Sequence, residues 1–358
     1  MLVNAQAFIT FLHQIVNEKF GNYQDIYLPA RGPDEQNGHL FFTSIREDAE
    51  FQLDQYRTVD PVKILFYLSR EQVLNKKYSN ANRIIAGVKA CDLKALQLMD
   101  KALINDEFID PGYKHWRDHT TIISSDCDSL ASTCHCTLLD GKPYPEKGFD
   151  VNLSLVNDLF FIQVGSEKGR QFIDLMKQHI TVQEAESDTE KSVRTKRNNL
   201  LKELTSRTKK YKKISDGYDL RKKVMQSWEQ NSSQCVGCGA CTNICPTCYC
   251  LILNDESGPK EFIKTRSYDS CQLNGYAKVA GGGTPRPKMT ERFRNRYLCK
   301  FSYMKSNFDE AGCTGCGRCI DACAASLDLR EVLNNVTQSQ SMNPKLSVQT
   351  ETQFRGEV

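Results

Sequence analysis

A mixed α/β domain over residues 1–183, followed by a largely α-helical domain over 231–336, is the α+β architecture this sequence predicts. Three observations carry it. Strand-like and helix-like segments alternate through the first half, the composition turns to Lys, Arg, Glu, Ser and Asn from 184 to 230, and one cysteine spacing occurs twice beyond 230.

The first element is a helix. In MLVNAQAFITFLHQIVNEKF, residues Phe8, Phe11, Leu12, Ile15, Val16 and Phe20 recur at helical spacing, so an amphipathic helix on a core is expected, not a signal peptide. DIYLPA, HLFFTSI, KILFYL, NRIIAGV, TTIISS and LFFIQV read as strands, and LKALQLMDKAL and GRQFIDLMKQHI as helices. Residues 184–230 carry only sparse apolar positions (Val193, Leu200, Leu201, Leu204) and predict one or two exposed linking helices. The basic run RTKKYKKISDGYDLRKK within it reads as a solvated helix face, with a docking surface for an acidic partner as the alternative. From Thr337 to Val358 the sequence is polar and aperiodic, which predicts a disordered tail.

A net charge of +3 is too small to argue for a nucleic-acid partner. No run of roughly 18 apolar residues occurs, so no membrane span is expected. The outlying number is sixteen cysteines in 358 residues. Without an export signal, clustered thiols point to metal ligands in a reducing, cytoplasmic setting, one low in oxygen.

Cys235, Cys238, Cys241 and Cys245 follow C-x2-C-x2-C-x3-C-P, with Pro246 in place, and Cys313, Cys316, Cys319 and Cys323 repeat the spacing with Ala324 where proline is usual. Three thiolates two residues apart on a curled loop cap three irons of one cubane; the fourth, pointing away, ligates the other cluster. One [4Fe–4S] cluster is therefore assigned to Cys235, Cys238, Cys241 and Cys323, and another to Cys313, Cys316, Cys319 and Cys245. Two matching runs make the second domain ferredoxin-like, and Gly237, Gly239, Ala240, Gly315 and Gly317 leave room for backbone amides near the sulfides.

Four more cysteines lie in the first half: Cys91 just after the strand IIAGV, and Cys127, Cys134 and Cys136 within ten residues of one another. They suit a third [4Fe–4S] cluster; zinc, or buried structural thiols, fit the same spacing. His135, between two of them, is expected to donate to the cluster or to lie exposed. His13, His39, His115, His119 and His179 are scattered and read as packing or surface residues.

The stretch 246–312 between the two runs is far longer than a compact ferredoxin needs, and it adds Cys248, Cys250, Cys271 and Cys299. Either Cys248 and Cys250 shield the second cluster as buried packing residues, or Cys248, Cys250 and Cys271 form a fourth metal site with Cys299 or a non-cysteine ligand. Gly281–Gly283 lacks the strand–turn–helix setting of a nucleotide loop. Arg286, Lys288, Arg292, Arg294, Arg296 and Lys300 form a basic stripe, to be paired with carboxylates inside the domain or left to receive an acidic redox partner.

GVKACDLKAL, DCDSLASTCHC, VGSEKG, CVGCGACTNICPTCYC, YDSCQLNGYAKVAGG, PRPKMTERFRNRY and CTGCGRCIDAC together resemble the iron–sulfur beta subunit of cytoplasmic sulfhydrogenases (group 3 NiFe hydrogenases) and, equally, the A subunit of anaerobic sulfite reductase. The resemblance runs from about residue 1 to 335. It implies an electron conduit between a flavin subunit that handles NAD(P)H and a catalytic subunit that handles hydrogen, sulfite or polysulfide. It also implies a cluster at the first-half cysteines and a place in the family pattern for Cys248, Cys250 and Cys271. Cys299, where a residue such as histidine is expected, and Ala324 are departures. No Ser/His/Asp set and no activated carboxylate pair occurs, so no bond-making chemistry is expected; the rival is a reductase that binds flavin or substrate beside its own cluster.

Overall fold

The computed structural model describes residues 1–32, 38–47, 49–73, 76–214, 220–258 and 261–339. In the N-terminal half the elements are β1 (Leu2–Asn4), α1 (Ala5–Glu18), β2 (Tyr23–Arg31), β3 (Leu40–Ser44), β4 (Arg70–Gln72), β5 (Asn82–Val88), α2 (Ala90–Leu103), α3 (Pro111–Asp118), β6 (Thr120–Ser125), β7 (Val151–Val156), β8 (Leu159–Val164) and α4 (Glu167–Lys177). There follow α5 (Ser187–Thr208), α6 (Met225–Ser232), α7 (Ala240–Asn243), β9 (Leu251–Ser257), β10 (Phe262–Tyr268), α8 (Met289–Leu298), α9 (Met304–Phe308), α10 (Arg318–Asp321) and α11 (Leu329–Gln338).

Helix starts follow local chemistry. The Asn4 side chain accepts from the Ala7 amide to open α1, Asp110 does the same for Tyr113 ahead of Pro111, and Ser166 for Gly169. The strands form one seven-stranded sheet in the order β1-β8-β7-β6-β5-β2-β3, in which β2, β5, β6 and β7 run parallel. Side chains alternate across it. Ile84 and Ala86 join Phe8, Phe11, Leu12, Phe172 and Met176 of α1 and α4 on one face. Ile85 and Val88 join Leu93, Leu96, Met99 and Tyr113 of α2 and α3 on the other. A parallel sheet covered on both faces presents its strand ends as the place for a site.

The second domain packs α6, α8 and α11 around Trp228, Phe293, Tyr297, Leu329, Leu333 and Val336. Its insertion supplies α8 and α9 and also two strands, β9 and β10, which pair antiparallel, β10 pairing in turn with β4 of the first half.

Four expectations need correction. KILFYL is not a strand: Val62–Leu65 is a single 3₁₀ turn after Pro61, and Val62, Phe66 and Tyr67 enter the core from that turn. Strand β7, absent from the strands expected, buries Asn152 and Ser154, which are satisfied by Ser124 and by Asp126. The basic run is no helix face beyond Thr208. Lys210 pairs with Glu331 at 2.9 Å, Lys213 pairs with Asp140, and Lys223 donates to the carbonyls of Thr337 and Ser339 at 2.8 and 2.7 Å. The tail was expected from Thr337, yet α11 extends to Gln338 because Val336 is buried; residues 340–358 lie outside the described residues.

Candidate iron–sulfur centres

The two ferredoxin runs fold as near copies. Each has two left-handed glycines, Gly237 and Gly239 in one and Gly315 and Gly317 in the other, before a short helix that carries the third cysteine. Cys235, Cys238, Cys241 and Cys323 line one cavity of about 520 Å³. Cys245, Cys313, Cys316 and Cys319 line another of about 310 Å³. The exchange of the fourth cysteine between the runs thus has a geometric basis: α7 and α10 pack together and aim Cys245 and Cys323 at opposite cavities.

The second cavity holds polar atoms without partners among the described residues. Arg296 Nε and Nη2, Thr314 Oγ1 and His135 Nε2 are buried and unbonded, and all three residues line it. Arg296 lines the first cavity as well. The Arg296 and Thr314 donors are costly to bury without acceptors, and an anionic sulfide-rich core is the kind of group that satisfies them. Five thiols line the first cavity, Cys319 among them, and four the second; facing cations and hydroxyls, each set fits a [4Fe–4S] cluster by its donor chemistry. Burial pushes the thiols of Cys313 and Cys319 up to about 11 and 12, so as free groups they are protonated and inert; iron binding is what would take their protons off.

Half of the basic stripe is drawn inward, and among the described residues that half pairs with no carboxylate, while Lys288 stays exposed. Arg292, Arg296 and Lys300 stand at i, i+4 and i+8, and all three are buried. Arg292 donates to the carbonyls of Gln272, Arg286 and Pro287, and Lys300 to Thr247 Oγ1 at 2.8 Å and Gly312 O at 3.0 Å. Helical spacing alone does not tell which face of a helix looks inward.

The first-half cysteines sit at the carboxyl ends of two neighbouring parallel strands. Cys91 is the second residue of α2, directly after β5, and Cys127 lies two residues past β6. Cys134 and Cys136 come from the loop that follows. Cys127 is within electrostatic reach of Cys91, Cys134 and Cys136. Burial drives the Cys127 thiol up to about 12, opposed by the buried Lys89 ammonium. Lys89 is held by Leu53 O and Ser125 Oγ at 2.8 Å and by Asp126 O at 3.0 Å. Among the described residues no three His, Cys, Asp or Glu side chains close on a single-ion site. A cubane is a wider body, with an iron and a thiolate at each of four corners.

The two halves meet through the cysteine loops. The His135 amide donates to Gly315 O at 2.8 Å, and the Cβ positions of Gly315 and Gly317 would fall 2.4 Å from Cys136 Cα and 2.5 Å from Thr133 O. Only glycine permits both that approach and the positive φ of 69° and 77°. Two arginines lock the contact. Arg318 pairs with Asp92 at 2.7 Å, both 1% exposed, and donates to the carbonyls of Thr58 and Val59. Arg57 binds Cys316 O and Asp321. Cys316 in consequence stands beside Cys91 and Cys134 as well as in its own cavity. Arg57 gave no signal in the sequence, and Arg318 none beyond its place inside a cysteine motif.

His135 is buried, not exposed, and its Nδ1 lies 2.9 Å from Thr133 O. A carbonyl only accepts, so the proton of the neutral ring sits on Nδ1 and Nε2 offers the cavity a lone pair; burial holds the pKa down to about 4. The expected donation to a cluster is thus not made by the neutral ring.

Residues 234–327 match the 4Fe-4S dicluster domain family. The chain is 31% identical over 324 residues to sulfhydrogenase 2 subunit beta of Pyrococcus furiosus, a match covering 86% of this chain and 92% of that protein. It is 22% identical over 178 residues to F420-dependent formate dehydrogenase subunit beta of Methanocaldococcus jannaschii, covering 49% of this chain and 38% of that one.

Proposed function

The chain belongs to the sulfhydrogenase beta-subunit family of iron–sulfur electron-transfer subunits, and from that premise we propose that it relays electrons through three [4Fe–4S] clusters within a multisubunit oxidoreductase. Its neighbours in this reading are a flavin- and NAD(P)-binding reductase subunit and a catalytic hydrogenase or sulfite reductase subunit. The observation that carries the relay is the sharing of cysteines between adjacent sites: Cys316 stands beside the first-half cysteines, and Cys319 lines both ferredoxin cavities.

When bound, such clusters supply one-electron transfer. The protein's own part is to hold them close, exclude water and place fixed positive charge beside them. Arg296 and Lys300 flank the ferredoxin cavities, and Arg57, Arg318 and Lys89 the first-half site. At the other end Cys238 is exposed and Val236 is 67% exposed, which leaves the Cys235 site open to a docked subunit. Among the described residues no helix is long and apolar enough to cross a membrane.

The test is the iron, sulfide and zinc content of anaerobically purified protein, with EPR after dithionite reduction. Cys127→Ala and Cys238→Ala should each remove about four irons and their own signal. About one zinc lost in Cys127→Ala, in place of iron, would break the relay at the first half.

A further inference from the structure

The insertion between the ferredoxin runs gathers its own cysteines. β9 and β10 pair from Tyr268↔Leu251 outward, and the Asp269 amide donates to Cys250 O at 3.0 Å. The two feet of this ribbon therefore hold Cys250 and Cys271 side by side. Cys299 arrives from a third direction, as the first residue of a π-helical turn (Cys299–Tyr303) between α8 and α9. Single π turns inserted in α-helices occur mostly at functional sites. Cys250 is within electrostatic reach of Cys271 and Cys299, and Cys299 of Cys271. Cys248 precedes Cys250 by two residues, its thiol lies against Cys245, and Lys63 faces both it and Cys250.

A separate observation concerns charge. Lys63 and Lys300 are 1% and 2% exposed, and among the described residues neither meets a carboxylate. Lys63 Nζ has only the carbonyls of Cys248 at 2.9 Å and Asn243 at 3.4 Å, besides the Tyr268 ring 4.7 Å away. Lys300 lines the second ferredoxin cavity and has that site beside it, whereas a buried Lys63 ammonium with neutral partners keeps its desolvation uncompensated unless an anion joins it. The sulfurs of Cys245, Cys248 and Cys250 are the groups placed to supply that charge.

We propose that Cys248, Cys250, Cys271 and Cys299 hold a fourth [4Fe–4S] cluster. The thiols give up their protons as each sulfur binds one iron, and the anionic core lies against Lys63 and Lys300. Cys271 is also within reach of Cys241, and Cys299 of Cys245, so the fourth site touches both ferredoxin sites and forms a branch from the line of three. The branch rests on the reading of this chain as a cluster relay, but the occupancy of the site does not.

The experiment reconstitutes the full chain anaerobically with ferrous iron and sulfide, then counts iron by chemical assay and Mössbauer spectroscopy. The wild type should hold about sixteen irons. Cys271→Ala and Cys299→Ala should each hold about twelve, with the ferredoxin EPR signals kept as the control for folding. Unchanged iron in both variants, or loss of about one zinc with no iron, overturns the site. If Cys271→Ala does not fold, Cys299→Ala and the wild-type count decide between sixteen and twelve. Cys127→Ala separates the two ideas: no iron lost there sinks the first-half cluster and leaves the fourth site to stand on its own variants.

Discussion

Replacing Gly315 with alanine places a methyl group inside the contact between the two halves. The new Cβ would lie 2.4 Å from Cys136 Cα, 2.5 Å from Cys136 N and 2.6 Å from His135 C. All three are backbone atoms, and ordinary carbon contacts begin near about 3.5 Å, so the 133–136 loop must retreat by about 1 Å. The left-handed φ of 69° costs an alanine about 1 kcal/mol. Overpacking adds about 1–3 kcal/mol, and losing the 2.8 Å bond from His135 N to Gly315 O about 1 more. Together these amount to about 3–5 kcal/mol, read as a shift in the guanidinium unfolding curve of the full chain followed by circular dichroism. Gly275→Ala is the matched control, since nothing lies within 4 Å of its Cβ and its φ is not positive; it should stay within about 0.5 kcal/mol of wild type. If Gly315→Ala is as stable as Gly275→Ala, the direct docking of the two cysteine loops is wrong.

Arg318→Met strands the buried Asp92 carboxylate and should cost about 3–5 kcal/mol; adding Asp92→Leu should recover much of it, and a double variant no more stable than the single one would count against the pair. Arg296→Met removes a buried unit charge that lines both ferredoxin cavities. Potentiometric EPR should show those centres shifted negative by on the order of 100 mV, and an unchanged potential would place Arg296 outside their field. Burial, the stacked His119 ring 4.2 Å away and Arg83 hold His115 below its ordinary pKa. The unfolded chain takes up that proton near about pH 6.5, so the contribution is complete above this value and declines as pH falls toward the folded pKa. Stability of the wild type should therefore fall more steeply between about pH 7 and 5.5 than that of His115→Phe, and equal slopes would refute the assignment.

Legibility followed the range of the interactions. The two ferredoxin runs were plain in the sequence because cluster ligation is local: three thiolates must curl round one cubane, so their spacing is fixed within a few residues. The same holds for α1, α2 and α4, whose apolar period is a property of each segment alone. KILFYL misled because five apolar residues in a row suit a buried turn as well as a strand, and only the surroundings choose. β7 was hidden because its buried Asn152 and Ser154 need partners from β6 and the loop beyond it.

The sequence by itself determined that this is a [4Fe–4S] protein with a dicluster domain, because the two cysteine runs carry their spacing locally. The tertiary structure alone decided where charge lies. The basic stripe could have met carboxylates inside the domain or an acidic partner, and only the packing of α8 and the turn after it put Arg296 and Lys300 beside the ferredoxin thiols and Arg292 onto backbone carbonyls. Arg57 and Arg318 reach partners more than 200 residues away in sequence, and no periodicity records such a contact. Whether four scattered cysteines form one group depends on how a ribbon, a π turn and the stretch that carries Cys248 come together. That meeting is a property of the folded chain, because burial and long-range proximity exist only after the separate segments have packed.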